Sequence, residues 1–210
     1  LAMEWLDGCD LSSLLRERGL SLHESLSLIH GAADALASAH RRGIVHRDIK
    51  PSNLFLRGGD VARVTLLDFG IAHRGVDRTG MTRTGQVLGT PQYMSPEQAQ
   101  GLRHIGPAAD VFSLGCVLFE CLTGDPPFSG DQFAAVVSKL LFGSRPLLRQ
   151  VRPDVPDSVE PLERLVYQML ARAPEERPTD GAALYAAIEQ LFGLPECDPP
   201  SRRKVAPATM

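Results

Sequence analysis

The sequence predicts an α+β fold, predominantly α-helical around one buried central helix, with short β-hairpins set apart from the helical bulk. Three observations carry this reading. After Pro107, the residues Val111, Phe112, Leu114, Val117, Leu118, Phe119 and Leu122 are apolar on nearly every side of a helix, and a helix greasy all round belongs in an interior. Several other stretches carry apolar residues on one face at helical spacing, the pattern of helices packed around such an axis. One pair of strand-like runs, Leu54-Phe55-Leu56 and Val64-Thr65-Leu66-Leu67, is joined by Gly58-Gly59-Asp60 and reads as a hairpin.

Taken in order, Asp10 to Arg18 predicts a short helix, capped by Asp10 and stopped at Gly19. Ser21-Leu22-His23-Glu24 is a capping box, in which hydroxyl and carboxylate each satisfy an orphan amide of the first turn. Leu22, Leu26, Ile29, Ala33, Leu36 and Ala37 then repeat at helical spacing to about Arg42, with Gly43 as the stop. Ile44-Val45 is expected as a short strand. From Asp68 to Glu97 no period is sustained, and a long irregular stretch within a compact domain is either functional or disordered. Gly124-Asp125-Pro126-Pro127 ends the apolar helix, and 131–142, 158–171 and 179–192 follow as amphipathic helices. The Pro-rich, polar residues 194–210 are expected as a disordered tail or linker.

With 210 residues the chain can bury one sizeable core. A net charge of −3 gives no field that draws the chain to nucleic acid or an anionic surface. No apolar run reaches the length of a bilayer span. The four cysteines, at 9, 116, 121 and 197, form no CxxC pair and have no histidine at metal-ligand spacing. A reducing, cytoplasmic setting is expected, with Cys116 and Cys121 as small core hydrophobes.

The chemistry is concentrated in His46-Arg47-Asp48-Ile49-Lys50-Pro51-Ser52-Asn53 and, fifteen residues after Asn53, Asp68-Phe69-Gly70. Two carboxylates, an ammonium, an amide and a guanidinium on two short loops are the means to hold a metal-bound triphosphate beside a hydroxyl nucleophile. The motifs and their order resemble those of eukaryotic-type protein kinases. The phrase Gly89-Thr90-Pro91-Gln92-Tyr93-Met94-Ser95-Pro96-Glu97-Gln98-Ala99 resembles the bacterial eukaryote-like serine/threonine members, and the likeness runs from about Leu1 to Phe192. It implies a large lobe, residues 10–193, with a catalytic loop at 46–53 and an activation segment at 68–97, preceded by a hinge at 1–9.

The resemblance also implies roles. Asp48 would accept the proton of the incoming hydroxyl, Lys50 would neutralise charge on the transferring phosphoryl, and Asn53 and Asp68 would hold Mg2+, a hard ion that takes oxygen ligands. Thr90 would bond to the catalytic pair, and together with Lys50 it points to Ser/Thr rather than Tyr substrates. At the hinge, Met3 would guard the inner pocket, Glu4 and Leu6 would meet the adenine of ATP, Asp10 would reach the ribose and Phe55 would floor the base. His46 would pack against Phe69, Glu97 would pair with Arg177, and Asp110 would brace the catalytic loop. Ser95 stands where the family has Ala, and Phe112 where it often has Trp. Thr82 and Thr84 are expected phosphorylation sites, since added phosphate brings about −1.5 to −2 charges that Arg47 can capture. The other histidines, 23, 30, 40, 73 and 104, are expected in surface or packing roles.

No G-x-G-x-x-G hairpin and no Val-Ala-x-Lys strand occurs in the 210 residues. The chain is therefore expected to be the large lobe alone, with feeble nucleotide binding and little turnover in isolation. Protein substrates, and self-association for autophosphorylation, follow as expected partners. The alternatives are a non-catalytic pseudokinase used for docking, disfavoured by intact Asp48, Asn53 and Asp68, and a small-molecule phosphotransferase, disfavoured by the Gly89 to Glu97 segment.

Overall fold

A computed structural model describes residues 5–69, 91–195, 199 and 200. The expected Met3, Glu4, Thr82, Thr84 and Thr90 lie outside them.

The chain enters through β1 (Gly8–Asp10) and α1 (Leu11–Glu17), turns at Gly19, and runs through α2 (Leu22–His40). Both helix starts are chemically capped. Asp10 accepts from the Ser13 amide at 3.0 Å, and Ser21 and Glu24 form the reciprocal capping box. Each cap satisfies an orphan amide, an effect of about 1 kcal/mol. Gly43, with φ 71°, ends the turn after α2. Ile44 and Val45, expected as a strand, are irregular. The amides of the two residues that follow are drawn to a side chain, as shown below, and not to a sheet partner.

Next come β2 (Leu54–Arg57) and β3 (Val64–Leu66), which with β1 make an antiparallel sheet in the order β1-β2-β3. The hairpin is as expected. Strand β1 is an addition, because three residues are too few to show a period; its register sets Asp10 opposite Phe55.

The remaining elements are α3 (Pro96–Ala99), α4 (Ala108–Thr123), α5 (Phe133–Phe142), α6 (Leu148–Val151), α7 (Glu160–Met169) and α8 (Gly181–Glu189). Helix α4 is the axis: from Ala109 to Phe119 every side chain is buried. Its end is set by Gly124, whose φ of 87° is a conformation that side-chain-bearing residues resist. Helix α8 begins against α2. A Cβ at Gly181 would lie 2.4 Å from the Ala37 amide nitrogen, so only glycine permits this approach. Among the described residues, no helix is long and apolar enough to cross a membrane.

Candidate active site

The site is built outward from one buried carboxylate. Asp110, in the first turn of α4, is fully buried. Its Oδ2 accepts from the His46 amide at 2.7 Å and its Oδ1 from the Arg47 amide at 2.7 Å. The Nε2 of His40, at the end of α2, donates to Oδ2 from 2.9 Å. The direction is fixed because His40 Nδ1 accepts from the Gly181 amide at 3.0 Å, which leaves the ring proton on Nε2. A carboxylate taken from water is tolerated only with its oxygens satisfied, and three donors achieve that here. The result is that α2, α4, α8 and the loop after Gly43 meet at one point.

That point dictates the backbone of the 46–53 loop. Arg47 sits at φ 66°, in the left-handed region that a long side chain rarely adopts. Its peptide is held from both sides, by Asp110 at the amide and by Gln98 Nε2, which donates to the Arg47 carbonyl at 2.8 Å. Gln98 also closes a capping box with Ser95 at the start of α3. The end of the expected activation segment is thereby fastened to the 46–53 loop.

Beyond Arg47 the reactive side chains converge. Lys50 Nζ donates to Asp48 Oδ2 at 2.8 Å, and Asn53 Nδ2 donates to the same oxygen at 2.9 Å and to the Asp48 carbonyl at 2.7 Å. Because both partners are acceptors, the nitrogen of the Asn53 amide must face Asp48, and the carbonyl oxygen is turned away as a potential cation ligand. The Asp48 carboxylate keeps about a third of its surface, so it is held and still reachable.

Asp68 is brought alongside by its neighbours. The Leu67 amide donates to the Asn53 carbonyl at 2.9 Å, and His46 Nε2 donates to the Leu67 carbonyl at 2.9 Å. The Phe69 ring lies 4.6 Å from the His46 ring, centroid to centroid. Between these anchors Asp68 takes a φ of 52° with its side chain exposed. His46 is neutral in this setting. Burial pushes its imidazole below the ordinary range, Asp110 nearby opposes only part of that shift, and Nδ1 accepts from the Asp48 amide at 3.3 Å. Its task is packing and orientation.

Residues for a nucleotide base are less sharply defined. Phe55 and Leu6 are half-buried. Asp10 faces Phe55 across the strands, but both of its oxygens already accept from Ser13, the second from the hydroxyl at 2.8 Å. Any ribose contact competes with that cap.

For a metal, the available donors are oxygens: the Asn53 carbonyl and the Asp68 carboxylate. Among the described residues no group of three or more His, Cys, Asp or Glu is placed to hold a metal ion. Two protein oxygens fit Mg2+, which keeps waters and takes the rest of its ligands from bound phosphates.

Below the site, Glu97 and Arg177 form a buried two-point pair at 2.8 and 2.9 Å. Arg177 also donates to the carbonyls of Ala171, Ala108 and Arg172 and lies over the Phe112 ring at 4.9 Å. Glu120 of α4, half-buried, accepts from the Tyr93 hydroxyl at 2.7 Å. Burial raises the Glu120 carboxyl above the usual range, with the Tyr93 bond opposing, and burial also raises the Tyr93 phenol, which therefore stays a donor.

Sequence reasoning missed His40, Gln98 and Glu120. The Ser95-x-x-Gln98 spacing was a readable capping signal. Nothing local distinguishes His40 or Glu120 from other helix residues.

The protein kinase domain family model matches residues 1–192. The chain is 36% identical over 213 residues to a protein of Mycobacterium leprae called serine/threonine-protein kinase PknB, covering 98% of this chain and 32% of that protein. It is 37% identical over 210 residues to serine/threonine-protein kinase PknL of Mycobacterium tuberculosis, covering 98% of this chain and 51% of that one. The chain thus spans about a third to a half of the length of these curated relatives. A match across nearly the whole chain, on a fold whose loops bring the acid, ammonium and amide of the motif to one oxygen, places this chain in the protein kinase family.

Proposed function

We propose that the chain is the catalytic large lobe of a serine/threonine protein kinase, which transfers the γ-phosphoryl of ATP to Ser or Thr hydroxyls of proteins. The observation that carries this is the meeting of Lys50 Nζ and Asn53 Nδ2 on one oxygen of the Asp48 carboxylate, 2.8 and 2.9 Å away. A carboxylate so fixed, with a third of its surface open, can orient a hydroxyl and take its proton.

Mg-ATP bound at this site would supply the phosphoryl group and neutralise much of its charge. Asp48 receives the substrate proton at its carboxylate and aims the oxygen. Lys50, an ammonium beside that carboxylate, offsets negative charge that builds on the phosphoryl oxygens. Asn53 and Asp68 offer the two oxygens for the metal, and Thr90 is assigned to bond with the Asp48-Lys50 pair. Met3, Glu4, Leu6, Asp10 and Phe55 are assigned to the nucleoside. Thr82 and Thr84 are assigned as phosphate acceptors, modified by a second copy of the protein and read by Arg47. A cytoplasmic location goes with this reading.

The test is phosphoryl transfer from labelled ATP by the protein expressed from its complete reading frame. Asp48→Asn is expected to lower kcat by about a hundredfold or more, with little change in ATP affinity. Asp68→Asn is expected to abolish the magnesium dependence of ATP binding. Retention of full kcat in Asp48→Asn would remove the catalytic assignment, and absence of any Mg-ATP binding would leave a docking module.

A further inference from the structure

The proline pair Pro199-Pro200 is seated on the body of the domain, far along the chain from what it touches. A Cβ placed on Gly19 would lie 3.1 Å from Pro199 Cβ, 3.2 Å from Pro200 Cδ and 3.3 Å from the Pro200 carbonyl oxygen. A Cβ placed on Gly124 would lie 3.9 Å from Pro200 Cβ. The two glycines belong to the α1–α2 turn and to the end of α4 respectively. The missing side chains leave a notch at Gly19 and Gly124: a methyl at Gly19 would crowd both proline rings, and one at Gly124 would just touch Pro200.

Past α8, Phe192 packs edge-on to His23 at 5.6 Å and to His30 at 5.2 Å, both on α2. His23 is four residues from Gly19 in the chain. Seven residues from Phe192 to Pro199 span at most about 25 Å.

We propose that Pro199-Pro200 is an intramolecular strap that docks in the Gly19–Gly124 notch and clamps the α1–α2 turn against the end of α4. The chemistry of both sides suits it. Consecutive prolines are stiff and extended, so they lose little entropy on docking; Pro200 is half-buried here and Pro199 keeps an exposed face. Glycine at 19 leaves room for the rings. The turn beneath is braced by Arg18, which donates to the Gly19 carbonyl at 3.2 Å and pairs with Glu24 at 2.7 Å. Helix α1 begins directly after Asp10 of β1, so the strap links the C-terminal end of the domain to the element that leaves the candidate nucleotide edge.

Gly19 gives a test with a defined sign. Its φ lies outside the left-handed region that disfavours side chains, so alanine fits the backbone. In a turn with nothing above it, Gly→Ala at such a position raises stability by trimming unfolded-chain entropy. With the strap seated, the new methyl meets Pro199 and the gain is lost. The full chain, Gly19→Ala, Pro199→Ser/Pro200→Ser and the triple variant are compared by thermal unfolding and by amide hydrogen exchange of 18–21 and 123–125. Circular dichroism checks that each is folded. The serine pair is expected to lower Tm by a few degrees and to speed exchange in both stretches about tenfold. Gly19→Ala is expected to lower Tm or leave it unchanged when the prolines are present, and to raise it when they are absent. An equal rise of Tm by Gly19→Ala in both backgrounds, or unchanged exchange in the serine variant, would overturn the strap.

Discussion

At the scale of single residues, the candidate active site depends on a carboxylate that touches no substrate. Asp110 accepts two loop amides and the His40 ring in the interior. Asp110→Asn replaces one acceptor edge with an amine that faces backbone N–H groups. It is expected to cost about 2–3 kcal/mol, and to reduce kcat by more than it alters KM because Asp48 is no longer held in place. Chemical denaturation and steady-state kinetics check both. The histidine above it gives a pH signature. Burial lowers the His46 imidazole from its ordinary 6.5, so the unfolded chain binds a proton near pH 6.5 while the folded one does not. The stability tied to this group is held above that pH and is lost as pH falls through it towards the lower folded value. The gap in Tm between the wild type and His46→Gln should therefore narrow between pH 7.5 and pH 5.5, and a gap that stays constant would contradict the assignment. Both residues were legible in the motifs. His40 was not, because its meaning comes from two partners, Asp110 and Gly181, that lie 70 and 141 residues away in sequence.

At the scale of elements, the tie between α3 and the segment before α8 has an asymmetry that sequence could not reveal. The pairing of Glu97 with Arg177 was expected, but Arg177 also satisfies three backbone carbonyls. Removing one side of a buried pair costs about 3–5 kcal/mol because it strands the other charge. Arg177→Met leaves a buried carboxylate and three unsatisfied carbonyls, whereas Glu97→Gln leaves a guanidinium with three partners still in place. Urea unfolding should therefore rank Arg177→Met as clearly more damaging than Glu97→Gln, and a reversed order would refute the accounting. Element boundaries were legible where a side chain encodes them, as at Asp10, Ser21 and Gly124. They failed at Ile44-Val45, where the apolar β-branched pair suggested a strand. There the next two amides go to a helix side chain, and among the described residues no strand pairs with Ile44 or Val45.

At the scale of the whole molecule, the fold is a set of helices arranged around α4, and α8 approaches α2 closely enough to admit no side chain. Gly181 brings the start of α8 onto the backbone of α2 near Ala33 and Ala37. It also presents its amide to His40 Nδ1, which fixes the ring proton that Asp110 receives. Gly181→Ala must push the helices apart and is expected to cost about 1–3 kcal/mol, the range for overpacking. It should also lower activity through Asp110, although Gly181 is nowhere near Asp48 in sequence. Thermal unfolding together with kcat measures both effects, and loss of stability with unchanged kcat would show that the route through His40 carries nothing.

The sequence by itself determined the helical periods, the caps, the buried axis and which side chains are candidates for the chemistry. These rest on local spacing and on side-chain chemistry, which a linear reading retains. Only the tertiary structure decided which amides Asp110 would capture, how Gln98 would fasten one loop to another, that Tyr93 would meet Glu120, and that two prolines would come to rest against Gly19. Each of these joins residues dozens of positions apart. The polar pairings among them are selected by the need to satisfy polar groups once water is gone, a demand that arises only when the core closes.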